Sequence, residues 1–280
     1  MIKKSKIILF TLTMVLMWAK AKADTGKYFD KAIFVIFENT DYAEVMKQPF
    51  FSSLASKGAQ FNNFKAITHP SQPNYIALTS GQTYGVKDDS NVNLDVKNIA
   101  DLIEAKGLTW KVYAEDFPKN CFTGATSGAY VRKHVPFLSY LNIQKNPKRC
   151  SQIVNAKNFL SDVKNNKLPN YVFYVPNNKN NGHDTGVSFA DKWYSKTFGP
   201  ILNNSDFLKD TVLITTFDEG TWFSKNIIYT NIIGNDVKPG TFNQNLNTYS
   251  LLKLMEENWS LGDLGQLDKT ANSFPTSMWK

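Results

Sequence analysis

The chain has 280 residues, of which 42% are hydrophobic, 20% charged and 14% aromatic. That composition allows a substantial core in one or two domains and excludes a disordered, collagen-like or low-complexity protein. The formal net charge of +8 falls to +3 without residues 1–23, which hold five lysines and no acid. No basic stripe interleaves with aromatic residues, so nucleic-acid binding is disfavoured.

Those first residues read as a targeting segment. Lys3, Lys4 and Lys6 precede an apolar run from Ile7 to Ala19, and Ala21-Lys22-Ala23 fits a small-residue cleavage site. Residues 1–23 are expected to be a signal peptide and residues 24–280 a single domain, exported to a periplasm or secreted. An uncleaved anchor is the competing reading, and the apolar run is short for a membrane span. Cys121 and Cys150 are the only cysteines. In an exported chain an even pair predicts one disulfide, with two buried thiols as the alternative.

Along the chain, the apolar run Ala32–Phe37 predicts a buried parallel strand. Similar runs follow at 110–113, 171–175, 211–217 and 227–233. Between them, helical spacing predicts helices over 96–105, 156–163, 189–202 and 248–259, and a helix begins near Asn74–Leu78. Strand alternating with helix implies an α/β sheet covered on both faces. In such sheets ligands bind beyond the carboxyl ends of the strands. The first strand ends in Glu38-Asn39-Thr40, the strand from Tyr171 leads to Gly182-His183-Asp184, and the strand from Thr211 ends in Asp218-Glu219-Gly220. Three strand ends therefore deliver carboxylates, amides and a histidine to one edge.

Glu38, Asn39, Asp218 and Glu219 together form an oxygen-rich donor set suited to a divalent cation. Either pair alone reads as a cap or surface charge. In His69-Pro70-Ser71-Gln72-Pro73-Asn74-Tyr75, Ser71 opens a helix, where free backbone N–H groups attract phosphate; simple capping is the plainer role. The three histidines, His69, His134 and His183, lie beside prolines, charges or loop glycines, and each is a candidate proton donor, metal ligand or phosphate contact. Arg132 and Lys133 offer positive charge to a phosphate or simply to solvent. No G-x-S-x-G elbow is present, which weakens an ordinary esterase.

Taken in order, FENTDY, THPSQPNYIALTSG, CFTGATSGAYVRKHVPF, NNGHDTG and TTFDEG resemble the secreted phosphoesterase family of acid phosphatases and phospholipase C relatives, within the alkaline phosphatase superfamily. The resemblance runs from about Phe34 to Gly265 and is strongest to the acid phosphatase branch. It implies an alkaline-phosphatase-like three-layer α/β/α sandwich with a mostly parallel central sheet. It implies a metal-dependent phosphomonoester hydrolase, with Ser71 as nucleophile and Glu38, Asn39, Asp218 and Glu219 at a divalent metal ion. His69, His134, His183 and Asp184 fall around the phosphate, and Asn74 and Arg132 are further substrate-binding candidates. His183 or His134 is expected to protonate the leaving oxygen.

One position departs from the pattern. Where many relatives open the late helix with His-Tyr-Ser, this chain has Thr248-Tyr249-Ser250. Three rival readings follow: a phospholipase C on lipid head groups, a weakly catalytic protein that binds phosphorylated ligands, and a serine hydrolase using Ser71, a histidine and Asp184. The expected partner is a small phosphorylated substrate, with no nucleic acid and no stable membrane insertion after cleavage.

Overall fold

A computed structural model describes residues 26–204 and 206–280; the expected signal peptide and its cleavage site lie outside the described residues. The strands of the central sheet are Lys31–Phe37 (β1), Ala59–Phe61 (β2), Trp110–Ala114 (β3), Ile153–Asn155 (β4), Tyr171–Val175 (β5), Thr211–Phe217 (β6), Thr230–Ile233 (β7) and Gly240–Phe242 (β8). Their order across the sheet is β8-β2-β7-β6-β1-β5-β3-β4.

Strand β1 is central and runs parallel to both neighbours, with Phe34 level with Phe173 of β5 and Ile214 of β6. A strand covered on both faces has no side for solvent, which explains its unbroken apolar run. The helices that cover it include Pro49–Ala55 (α1), Ser71–Ser80 (α2), Ile99–Ala105 (α3), Phe159–Lys164 (α4), Val187–Leu202 (α5) and Thr248–Trp259 (α6). Successive side chains of a strand point to opposite faces. Accordingly Phe37 packs edge-on against Phe51 of α1 and Tyr194 of α5, each with ring centroids 4.9 Å away. Its neighbour Ile36 instead shares a small cavity with Tyr75 and Leu78 of α2 and Leu251 of α6. The sheet is thus the middle layer of an α/β/α sandwich.

The expected strand at 227–233 is shorter and antiparallel to both β2 and β6. Its connection from β6 carries no crossover helix, so the chain turns straight back, as a short connection requires. Helix α3 starts at Ile99 because Asn98 and Asp101 form a reciprocal cap, each side chain taking a backbone N–H of the other turn. Cys121 and Cys150 are disulfide-bonded, with Cα atoms 5.5 Å apart. No helix among the described residues is long and apolar enough to cross a membrane.

Helix α2 matters most for position. All ten of its residues are buried, so it is held on every side. It stops at Gly81, which takes φ +80°, a conformation that favours glycine. A Cβ there would also lie 2.5 Å from Asp268 Oδ1.

Candidate active site

Parallel pairing of β1 with β5 and β6 sets their carboxyl ends side by side. The backbone knits them there: Asp218 N donates to Phe37 O at 2.9 Å, and Glu38 N to Asn181 O at 3.1 Å. Against this edge α2 presents its first turn. Ser71 Oγ donates to Glu38 Oε2 at 3.0 Å, and Tyr75 Oη, one turn on, donates to Glu38 Oε1 at 2.5 Å. Residues four apart share a helix face, so one carboxylate grips both. Glu38, Ser71 and Glu219 are each 1% exposed and Asp218 is 4% exposed, so the cluster is almost free of water.

The carboxylates are close enough to disturb one another. Asp218 Oδ1 accepts the backbone N–H of Asn39 at 3.2 Å and of Glu219 at 2.7 Å. Glu219 accepts Asn39 Nδ2 at 3.1 Å on one oxygen and pairs with His69 Nδ1 at 2.7 Å on the other. Burial, then the charges of Glu38 and Glu219, push the Asp218 carboxyl well above its ordinary range. Burial, then Glu38 and Asp89, push Glu219 up to about 8. Glu38 goes the other way. Burial acts to raise it, but the His134 imidazole, the Tyr75 hydroxyl and more distant Lys133 bring it down to about 2. The Ser71 hydroxyl also lowers both Asp218 and Glu219, so it lies among all three acids.

Does this set suit a divalent cation? Among the described residues no three His, Cys, Asp or Glu side chains are already arranged around one point. The chemistry nonetheless fits. Asp218 Oδ2 is buried without a hydrogen-bond partner, which costs free energy unless something positive meets it. Three buried carboxylates around one hydroxyl repel each other until a cation joins them. Asn39 adds an amide oxygen and adopts φ +40°, which turns it off the strand.

The histidines separate. His69 stands at the edge of the cluster, paired with Glu219, its side chain 19% exposed. His134 is wholly buried behind Glu38. Its Nε2 lies 3.2 Å from Glu38 Oε1. Its ring stacks on Tyr75 at 5.1 Å. His183 is held by Asn181 through its backbone N–H and bonds Asp184 at 2.7 Å on an exposed turn. Neither His183 nor Asp184 hydrogen-bonds Ser71, whose hydroxyl goes to Glu38.

Two expected substrate contacts are structural struts. Asn74 Oδ1 accepts from Ile67 N and Thr68 N, and its Nδ2 donates to Thr68 O and Pro70 O. An amide offers two donors and two lone pairs, and all four are used. Arg132 donates to Thr123 O, Val92 O, Asn93 Oδ1 and Leu138 O, each at 2.8 Å, tying loops together from a buried position. It is the adjacent Lys133 whose charge reaches Glu38 and Asp218 while its Nζ holds Asp89 at 2.7 Å. Tyr75 was not singled out from the sequence. Its signal was the four-residue spacing from Ser71 on the same helix.

The chain is similar to known phosphatases in sequence and to solved structures in fold. The chain is 38% identical over 261 residues to a probable acid phosphatase of Kluyveromyces lactis, covering 88% of this chain and 62% of that protein. It is 32% identical over 242 residues to a phosphatidylinositol-3-phosphatase of Mycobacterium tuberculosis, covering 85% of this chain and 79% of the other. The chain spans 62% and 58% of the lengths of two curated fungal relatives. Among solved structures, a protein in the alkaline phosphatase superfamily from Vibrio parahaemolyticus aligns with TM-score 0.60 at 14% identity, over 88% of this chain and 71% of that one, a likeness of fold. The model of the Phosphoesterase family matches residues 17–262, nearly the whole of the described chain, and the protein belongs to that family.

Proposed function

We propose that this protein is an exported, metal-dependent acid phosphatase that hydrolyses phosphomonoesters through a phosphoserine at Ser71. The observation that carries the reading is the placement of Ser71 Oγ at the start of a fully buried helix, 3.0 Å from Glu38, among three carboxylates with one orphaned oxygen. The relatives support the monoester over the phospholipase alternative, since both an acid phosphatase and a phosphatidylinositol-3-phosphatase act by name on phosphomonoesters.

Glu38, Asn39, Asp218 and Glu219 would hold the divalent ion, with Ser71 at its side. When bound, that ion neutralises the acids, screens the phosphate and favours the alkoxide form of a neighbouring hydroxyl. The chain's own residues do the rest. Glu38 remains ionised and orients the Ser71 hydroxyl rather than taking its proton. In the first turn of α2, Pro73 has no N–H and Gln72 N already donates to Asp89 Oδ1 at 2.9 Å, so Ser71 N is the group that would meet a phosphate oxygen. Ser71 Oγ bonds to phosphorus as the bond to the leaving oxygen breaks; the hydroxyl proton passes to solvent water, and the alcohol departs with a proton from a neighbouring acid. His69, at the open edge and steadied by Glu219, is better placed to supply that proton than buried His134 or outlying His183. Water then attacks the phosphoserine, releasing phosphate and restoring Ser71.

The test is hydrolysis of p-nitrophenyl phosphate with each of several divalent ions and after EDTA. Ser71→Ala is expected to lower turnover by at least about a thousand-fold. Near wild-type turnover in that variant would sink the nucleophile, and activity indifferent to chelator would sink the metal.

A further inference from the structure

Large exposed apolar side chains are few among the described residues, and two of them are neighbours: Trp222, 60% exposed, and Phe223, 98% exposed. Both stand on the segment that leaves the site directly after Asp218-Glu219-Gly220. The Trp222 ring lies over His69 with centroids 5.2 Å apart and planes tilted by 42°. His69 is the residue paired with Glu219. One side of the indole therefore closes on the site histidine while most of the ring meets solvent.

Exposure of this kind is ordinary at a loose loop tip, but this segment is fastened. Gly220 N donates to Asn226 Oδ1 at 2.7 Å, Ser224 N to Thr221 O at 3.0 Å and Asn226 N to Ser224 Oγ at 3.1 Å. Thr221 donates both its backbone N–H and its hydroxyl to Asp41. Asn226 Nδ2 reaches Thr68 O at 3.2 Å, so the same segment is tied to the nucleophile loop. Gly220 passes so close to Asp41 and Ser224 that a Cβ would collide with both. An indole held in place pays little entropy to meet a ligand, and its face is a sequence-blind platform for planar apolar groups.

We propose that Trp222, with Phe223 beside it, is the specificity element for the leaving group and favours esters with flat aromatic leaving groups. The assignment rests on the phosphomonoesterase reading above. The phosphoryl end is fixed at Ser71, His69 lies between Ser71 and the indole, and a leaving group departing past His69 meets the exposed ring. Two side chains on one tight turn offer too little apolar surface for stable membrane anchoring, which favours a small-molecule occupant over a bilayer.

The experiment separates binding from turnover. Phenylphosphonate and methylphosphonate, which cannot be hydrolysed in this way, are titrated calorimetrically into the full chain, Trp222→Ala and Trp222→Phe. Phenyl phosphate and glycerol 2-phosphate are compared by kcat/KM. The wild type is expected to prefer each phenyl compound by about ten-fold, the scale of one aromatic stack. Trp222→Ala should erase the preference, Trp222→Phe should keep most of it, and methylphosphonate affinity should move by less than about two-fold. No wild-type preference, or equal loss of both phosphonates in Trp222→Ala, would overturn the proposal; equal loss would mean that the indole only props His69. Flat phosphonate binding joined to Trp222-dependent sedimentation with phosphatidylcholine vesicles would overturn it in favour of a lipid contact. If no ester is turned over, the hydrolytic reading fails, and the phosphonate ratio still decides Trp222.

Discussion

Asn74→Ala offers a direct contest between two roles for one residue. From sequence, Asn74 is a substrate contact; in the structure its amide is consumed by Ile67 N, Thr68 N, Thr68 O and Pro70 O. The side chain is 2% exposed, so water replaces these partners poorly. Four hydrogen bonds at a net of about 0.5–1.5 kcal/mol each bound the loss at roughly 2–6 kcal/mol. Because the 66–70 loop can open partly to water, we expect about 3 kcal/mol. Chemical denaturation measures this as a lower midpoint at an unchanged m value. Turnover should fall as well, by about a hundred-fold, because the loop that delivers Ser71 loses its staple. Asn74→Asp serves as a control: it turns both donors into an acceptor facing two carbonyl oxygens and should be at least as damaging near neutral pH. A raised KM with a stability change under about 1 kcal/mol would refute the staple and restore the substrate contact.

Glu256 should impose a pH dependence on stability. Burial, then the adjacent Asp268, raises its carboxyl from an ordinary 4.5 to about 9. A raised acid keeps its proton in the folded state while the unfolded chain releases it. Its contribution is therefore fully present below about 4.5 and is lost as pH rises towards about 9. Thermal melts across that window should show Tm falling with pH, and Glu256→Gln should flatten the slope; an unchanged slope would discredit the shift. Cys121 and Cys150 close a loop with a sequence separation of 29. Replacing both by serine should lower stability by roughly 3–4 kcal/mol, read from denaturant midpoints. A loss below about 1 kcal/mol would show that the unfolded chain is not restrained in that way.

The central sheet was legible because its strands are long and buried on both faces. Lys31–Phe37, Tyr171–Val175 and Thr211–Phe217 appear as apolar runs ending in charge or in amides, and the carboxyl-end rule places their loops together. Strands of three residues, such as Ala59–Phe61 and Ile153–Asn155, carry too little pattern to show a period of two. Their pairing is decided by what lies next to them in space. The antiparallel return at Thr230–Ile233 follows from the connection rather than from strand composition, which is why apolarity alone gave the wrong direction.

The site divides along a similar line. Sequence names residue types; it does not reveal whether their bonding capacity is already used. Asn74 and Arg132 have the chemistry of phosphate contacts, yet the Asn74 amide is fully used by the 67–70 loop and both terminal nitrogens of Arg132 are tied to backbone and amide oxygens of distant segments, leaving only its Nε buried without a partner. The histidines are alike in sequence and differ only in burial: one lies beneath Glu38, one at the edge with Glu219, one outside with Asp184. Thr248 extends the point. It is buried at the start of α6 and lines, with Asp218, Tyr75 and Asn74, a cavity of about 10 Å³, room for roughly one water. This position, where the resemblance implies a histidine, thus falls on the wall beside Asp218, where a neutral side chain adds no positive charge. Balancing Glu38, Asp218 and Glu219 is left to Lys133, to the histidines alongside and to whatever cation the oxygens hold. A buried carboxylate cluster is tolerable only with such company, so the charge that Thr248 withholds makes the remaining cations more consequential.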